Sequence, residues 1–267
     1  MPRIKINGIS LNYELNGSGS TVMLINGLTM DVNGWYLQVQ PFSERYTVLR
    51  YDCRGQGQSD KPDTEYSQEM HADDLKGLMD KIGIQKAHLV GISNGGMIAQ
   101  HFTLKYPERV GALVLVDTCS HIDTLLEMII KVWIRATEIG GSEFRYDVSL
   151  PVLFAESFIK KNLEVILSMK EISVKNNPPK PIINLAKSCL KHNVDDRIRE
   201  IKSPTLIIVG EEDILIPIKY SKILNEKIEG SRLVVIKDCG HVPILEKPEE
   251  FNRIVLDFLK DHDGLLV

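Results

Sequence analysis

The sequence predicts an α/β protein: an open, mostly parallel, eight-stranded sheet with helices on both faces and an all-helical insertion late in the chain. Three observations carry this. First, Thr21–Ile25, Thr47–Tyr51, Ala87–Ile92 and Ala112–Val116 are short apolar runs without strict alternation, as suits strands buried on both faces. Second, helical stretches at Asn33–Phe42, Ser67–Ile82 and Asn94–Tyr106 separate them, and strand-helix alternation implies right-handed crossovers. Third, the alternation stops after Val116 and resumes only at Thr205.

Taken in order, Arg3–Asn7 and Leu11–Leu15 alternate around an Asn-Gly pair, the signature of a hairpin. From Ser120 to about Glu200 the chain reads as helices alone. Thr124-Leu125-Leu126-Glu127 has the spacing of a capping box, and its helix is expected to run to Gly140-Gly141. Leu125, Leu126, Met128, Ile129, Ile130 and Val132 make that helix apolar on most sides, which predicts cover on more than one face. Phe158–Glu171 reads as a second helix, residues 176–181 break it, and Ile182–His192 resumes. Strands at Thr205–Val209 and Arg232–Ile236 then alternate with helices near Lys219–Ile228 and at Pro248–His262. The division implied is a core of residues 1–119 and 201–267 with a helical cap of residues 120–200. Asp261 and Asp263 read as a solvated end.

With 43% hydrophobic and 25% charged residues, the 267-residue chain has the makeup of an ordinary globular protein with a sizeable core. Its net charge of -4 and unclustered Lys and Arg argue against a nucleic acid or an acidic membrane as partner. Cys53, Cys119, Cys189 and Cys239 form no C-x-x-C pair, so metal and redox motifs are not expected. Reduced thiols, an N-terminus without an apolar leader and no run of membrane-spanning length lead to the expectation of a cytoplasmic protein. The Asn16-Gly17-Ser18 sequon then has no consequence.

The sharpest chemical signal is Gly91-Ile92-Ser93-Asn94-Gly95, a G-x-S-x-G sequence with a predicted strand before it and a predicted helix after it. A turn that tight needs small neighbours, pushes the serine hydroxyl outward, and sets a helix N-terminus beneath a developing oxyanion. The blander alternative is a glycine-rich turn that packs or binds phosphate. A nucleophilic serine needs a base. Of seven histidines, only His241 falls late in the chain at the carboxyl edge of a strand, where ligands gather in open α/β sheets. The base needs an orienting carboxylate. Asp213 follows the strand Thr205–Val209, and the order Ser, Asp, His is the one this arrangement uses. Asp117, at the end of Ala112–Val116, is the rival acid, with Asp213 preferred.

These motifs resemble those of the α/β-hydrolase fold with an inserted helical cap, over nearly the whole chain. Asp52-Cys53-Arg54-Gly55-Gln56-Gly57-Gln58-Ser59 matches the family's D-x-R-G-x-G-x-S turn, with Asp52 and Arg54 read as structural, and Lys105–Val110 is similar to its segment after the nucleophile helix. The resemblance implies an oxyanion hole made by the backbone N–H groups of Leu28 and Asn94. Where the family commonly has His-Gly, this chain has Asn26-Gly27, and Asn26 is expected to brace the loop. The Asn94 side chain could enter the site or cap the helix; both stay open.

The mechanism implied is acyl transfer through Ser93, His241 and Asp213, with no cofactor and no metal. The expected partner is a small to medium, mostly apolar ester or related carbonyl compound. Thioesterase, acyltransferase, lactonase and carbon–carbon bond hydrolase are the alternatives on the same scaffold, and a non-catalytic small-molecule receptor is a further one. Between His121 and Glu200 there are twelve Lys or Arg and eleven Asp or Glu, so no net field selects the charge of the ligand. Trp133, Phe154 and Phe158 are candidates for the pocket wall. Oligomeric state is not legible.

Overall fold

The structure is a computed structural model that describes residues 2–266. Eight strands form one sheet: β1 (Arg3–Ile6), β2 (Ile9–Asn16), β3 (Thr21–Ile25), β4 (Thr47–Tyr51), β5 (Ala87–Ile92), β6 (Val110–Val116), β7 (Thr205–Gly210) and β8 (Arg232–Ile236). Their spatial order is β1-β2-β4-β3-β5-β6-β7-β8. Only β2 runs against its neighbours, pairing antiparallel with β1 and β4. Asn7 and Gly8, with φ of 43° and 78°, make the turn that opposes Ile6 to Ile9, because both central positions of such a turn need positive φ.

The apolar runs are explained by cover on both faces. Along β5, Leu89 joins one core cluster while Val90 and Ile92 join the other; along β6, Leu113 and Leu115 alternate with Val114 and Val116 in the same way. One face is covered by α2 (Gln68–Lys81), α3 (Asn94–Lys105) and α7 (Ile218–Lys227), through residues such as Leu75, Phe102 and Leu224. The other is covered by α1 (Tyr36–Ser43), α8 (Pro243–Glu246) and α9 (Pro248–Lys260), through Phe42, Ile244 and Phe251. The short α8 follows directly on His241 and Val242, and its first turn is built from a proline that needs no amide partner. A 3-10 turn at Val32–Trp35, capped by Asp31, precedes α1 where one continuous helix was expected.

Between β6 and β7, paired in register from Leu113↔Thr205 to Val116↔Ile208, the chain inserts α4 (Thr124–Leu153), α5 (Glu156–Asn176) and α6 (Pro179–Leu190). Three expectations are corrected here. The cap of α4 is Asp123, whose side chain accepts from the Leu126 amide at 3.0 Å, so Thr124 is already helical. Gly140-Gly141 does not end the helix but bends it: Gly141 takes φ of 67°, and helix resumes to Leu153, with Pro151 tolerated in its last turn. Finally, the first half of α4 is covered on one face only. Leu126, Ile130 and Trp133 are buried, while Met128 is 62% and Val132 54% exposed, since no described element lies over them. At the other end of the chain, Asp263 accepts from Tyr46 Oη at 2.9 Å and from Arg45 at 3.1 Å, and so is paired rather than a solvated end.

Candidate active site

Four loops at the carboxyl edge of the parallel strands meet at one place. The turn from β5 into α3 puts Ser93 at φ 54° and ψ -119°, a conformation that bulky residues avoid. It is held there by its own backbone, with its N–H donating to Val116 O at 2.8 Å and its carbonyl accepting from Thr118 Oγ1 at 2.9 Å. The two glycines of the motif are required sterically: a Cβ on Gly91 would overlap Gly95 O, and one on Gly95 would overlap Ile25 O. Among the described non-glycine residues with positive φ, Thr29, Ser93 and Asp117 all lie around this site, and backbone strain of that kind gathers at functional sites.

Asp213 and His241 leave the ends of neighbouring strands and meet. Asp213 Oδ2 and His241 Nδ1 are 2.8 Å apart, and both side chains are buried. The other carboxylate oxygen, Oδ1, accepts from the amides of Leu215 and Ile216, each at 2.9 Å. Burial pushes the Asp213 carboxyl up, but the His241 ring and the Ile216 amide outweigh it and hold the group below its ordinary value. Asp117, the rival acid, sits behind this pair. Its Oδ1 accepts from the Gly210 amide at 2.9 Å and its Oδ2 makes no hydrogen bond, so it orders the base of the β7 loop. Burial and the Asp213 charge raise its carboxyl well above the usual range. Asp117, Asp213 and His241 come nearest to a metal-ligating cluster among the described residues. Four of their candidate ligand atoms are already used, Asp213 Oδ2 and His241 Nδ1 by the bond to each other and the Oδ1 atoms of Asp117 and Asp213 by backbone amides.

Leu28 and Asn94 flank Ser93. The Leu28 amide has no acceptor among the described residues, and Asn94 opens α3, where the first amides of a helix have none within it. Asn26 braces the loop as expected, donating to Tyr51 O and accepting from Trp35 Nε1, each at 2.9 Å. Gln56, not singled out in the sequence, donates to Gly27 O at 2.6 Å and holds the same loop from below. The Asn94 side chain takes neither of the two routes left open. Its Oδ1 accepts from Gln68 Nε2 at 2.9 Å and from Cys189 Sγ at 3.2 Å, which ties α3 to the inserted helices. Asp52 and Arg54 are structural, as read: Asp52 accepts from Val32 N, Asn12 Nδ2 and Gln58 N, and Arg54 grips Asp74 with two bonds of 2.8 Å.

Besides Gln56, a second residue of the site carries no motif that marks it. Glu246, buried in α8, accepts from the amides of Gly240 at 3.0 Å, Val242 at 3.1 Å and Ala155 at 2.9 Å. It therefore clamps both sides of His241 and the link between α4 and α5 to one carboxylate. Burial raises its pKa, against the pull of those three amides. The available signal was an acid one turn beyond a Gly-His-Val-Pro loop, too common a pattern to read alone.

Ser93 and His241 open onto one cavity of about 460 Å³. Its floor is the sheet edge with Leu28, and its roof comes from the insertion. Of the three aromatic candidates for the wall, Trp133 and Phe154 line this cavity. Of the first half of α4 only Trp133 reaches the cavity; the rest of the roof is the second half of α4 and α5, with Leu150, Phe154, Ile166 and Met169. Phe158 does not line it and instead stacks on Phe154, ring centroids 5.3 Å apart.

A strained serine at a strand-helix turn, in an eight-stranded sheet with helices inserted after β6, defines the α/β-hydrolase class. Residues 20–136 and 164–248 match the alpha/beta hydrolase fold family, and the chain belongs to it. It is 30% identical to the 2-hydroxy-6-oxo-6-phenylhexa-2,4-dienoate hydrolase of Comamonas testosteroni, over 94% of this chain and 91% of that one. Among solved structures it is similar to the enol-lactonase of Burkholderia xenovorans LB400, with 26% identity, a TM-score of 0.92, and 97% and 100% of the two chains covered. It is equally similar to a thermophilic esterase of Thermogutta terrifontis, at 29% identity, a TM-score of 0.91, and 98% and 100% coverage. No described helix is long and apolar enough to cross a membrane.

Proposed function

We propose that this chain is a serine hydrolase that cleaves a small to medium, mostly apolar ester or related carbonyl compound beneath a cap formed by the inserted helices. The observation that carries the reading is the shared cavity: Ser93 and the Asp213-paired His241 face the same largely apolar space. Ser93 Oγ attacks the carbonyl carbon while its proton passes to His241 Nε2. The carbonyl oxygen becomes an oxyanion held by the Leu28 and Asn94 amides. Collapse breaks the bond to the leaving group, which takes the proton from His241. Water, deprotonated by the same ring, then releases the acyl group from Ser93. Asp213 keeps the proton of the imidazole on Nδ1 throughout.

A second reading has support in the relatives, which include a lactonase and a hydrolase of a dienoate. Each can be served by the same attack, with the alkoxide tethered or a carbon leaving group in place of an alcohol. A chain-length series of p-nitrophenyl esters separates the possibilities. A maximum of kcat/KM at short or medium acyl length supports the ester reading. Flat activity, or preference for an acyl-CoA, moves thioesterase or acyltransferase ahead. Turnover of lactones or diketones above all esters moves the second reading ahead.

A further inference from the structure

The cavity wall carries a charge that the reaction just described does not use. Arg145 lies on the second half of α4, four residues from Ser149, and lines the cavity together with Ser93 and His241. It is only 3% exposed. Among the described residues no carboxylate lies within ion-pair distance of it. Its hydrogen bond is a long one of 3.4 Å from Nη1 to Ser149 Oγ, and its Nε has no partner. Burial lowers its pKa to about 10, so the guanidinium stays charged at neutral pH. The nearby wall, from Leu150, Ile166, Met169 and Ile172, offers nothing to neutralise it.

A buried charge without a counter-ion is among the most costly features a fold can keep. Arginine in particular offers a fork of N–H donors shaped for a carboxylate. Arg145 is the only Lys or Arg among the described residues of the cavity wall, and Asp31 the only carboxylate. Asp31 lies beyond ion-pair distance of it and is held elsewhere, its Oδ1 accepting from the Asn33 amide at 2.8 Å and its Oδ2 from Asn176 Nδ2 at 2.9 Å. Nothing described in the cavity wall neutralises Arg145.

We propose that Arg145 is a carboxylate-recognition residue, so that the substrates carry an apolar body and one free carboxylate remote from the bond that breaks. This rests on the reading of Ser93 and His241 as the reacting groups and names the substrate class they act on. A single cation on a mostly apolar wall fits a monoanion, not a polyanion. It is also compatible with the charge balance of the insertion, whose other cations lie outside this cavity.

The test compares p-nitrophenyl hydrogen glutarate and hydrogen adipate with their methyl-capped counterparts. The wild type is expected to favour at least one free acid over its capped form by about tenfold or more in kcat/KM, mostly through KM. Arg145→Met is expected to bring that ratio to about one, with Arg145→Lys between the two. Because the change to Met removes an unpaired buried charge, its Tm should rise. A second measurement does not depend on catalysis or on the variant folding: Ser93→Ala protein is titrated with hexanoate and with hexanamide while Tm is followed. A rise with the acid alone supports the subsite. If a fluorophosphonate fails to label Ser93 yet hexanoate raises Tm, the catalytic reading falls and the subsite stands. If esters are hydrolysed but the wild-type ratio stays near one and neither ligand moves Tm, the subsite is overturned and Ser93 keeps its role.

Discussion

Asp213→Asn is the substitution that tests the site most closely, because the surrounding amides dictate how the new side chain must sit. Asp213 Oδ1 accepts from two amides, Leu215 and Ile216. An NH₂ group in that place would face two donors, so the asparagine must keep its oxygen there and turn its NH₂ toward His241. The ring then has to accept at Nδ1, and its proton moves to Nε2, the nitrogen needed to receive the serine proton. The fold is undisturbed and the base is in the wrong tautomer. Losses of about 10⁴-fold in kcat, or about 5.5 kcal/mol of barrier, follow from such an exchange. Steady-state hydrolysis of the best p-nitrophenyl ester measures the loss, while Tm and circular dichroism check the fold. Asp117→Asn serves as the control, since Asp117 contacts the Gly210 amide and not the histidine. Activity of Asp213→Asn within about tenfold of wild type, or a larger loss in Asp117→Asn, refutes the assignment.

A fluorophosphonate is expected to add once per chain at Ser93, and Ser93→Ala to lose labelling and turnover together; an adduct mapped elsewhere by peptide mass spectrometry contradicts the mechanism. Asp117 has a pKa raised on folding, so its contribution to stability is present below its unfolded value of 3.8 and lost as pH rises toward its folded value. Asp117→Asn should therefore gain in Tm over wild type as pH goes from about 4 to about 8, and a constant difference in thermal melts would count against the raised carboxyl. Glu246→Ala leaves two buried amides and one half-buried amide without their acceptor, at about 1–3 kcal/mol each before water or relaxation compensates. A loss of about 3 kcal/mol in urea unfolding, with kcat reduced more than KM is raised, is expected because the His241 loop loses its clamp. Unchanged stability would show that the three amides find other acceptors.

The local chemistry of the site was legible because each part is set by short-range constraints. Gly91 and Gly95 are needed by the backbone atoms of the turn itself, and the apolar runs of β3, β5, β6 and β7 state double-sided burial directly. The spacing of Asp213 and His241 could be read because one helix and one strand between them return the chain to the same sheet edge. What the sequence could not settle were matters of distance between segments far apart in the chain. Asp213 and Asp117 both follow a strand at the same sheet edge, and only the tertiary structure shows that His241 lies beside Asp213. Asn94 was ambiguous until Gln68 and Cys189 arrived from other helices to take its oxygen. The apolar side of α4 gave no sign of which face would be covered, because hydrophobic pattern records what a residue can bury and not what is there to bury it. Arg145 reads in the sequence as one more surface cation of a balanced insertion. Tertiary folding alone turns it inward without a partner, since the bend at Gly140-Gly141 carries the second half of α4 over the cavity.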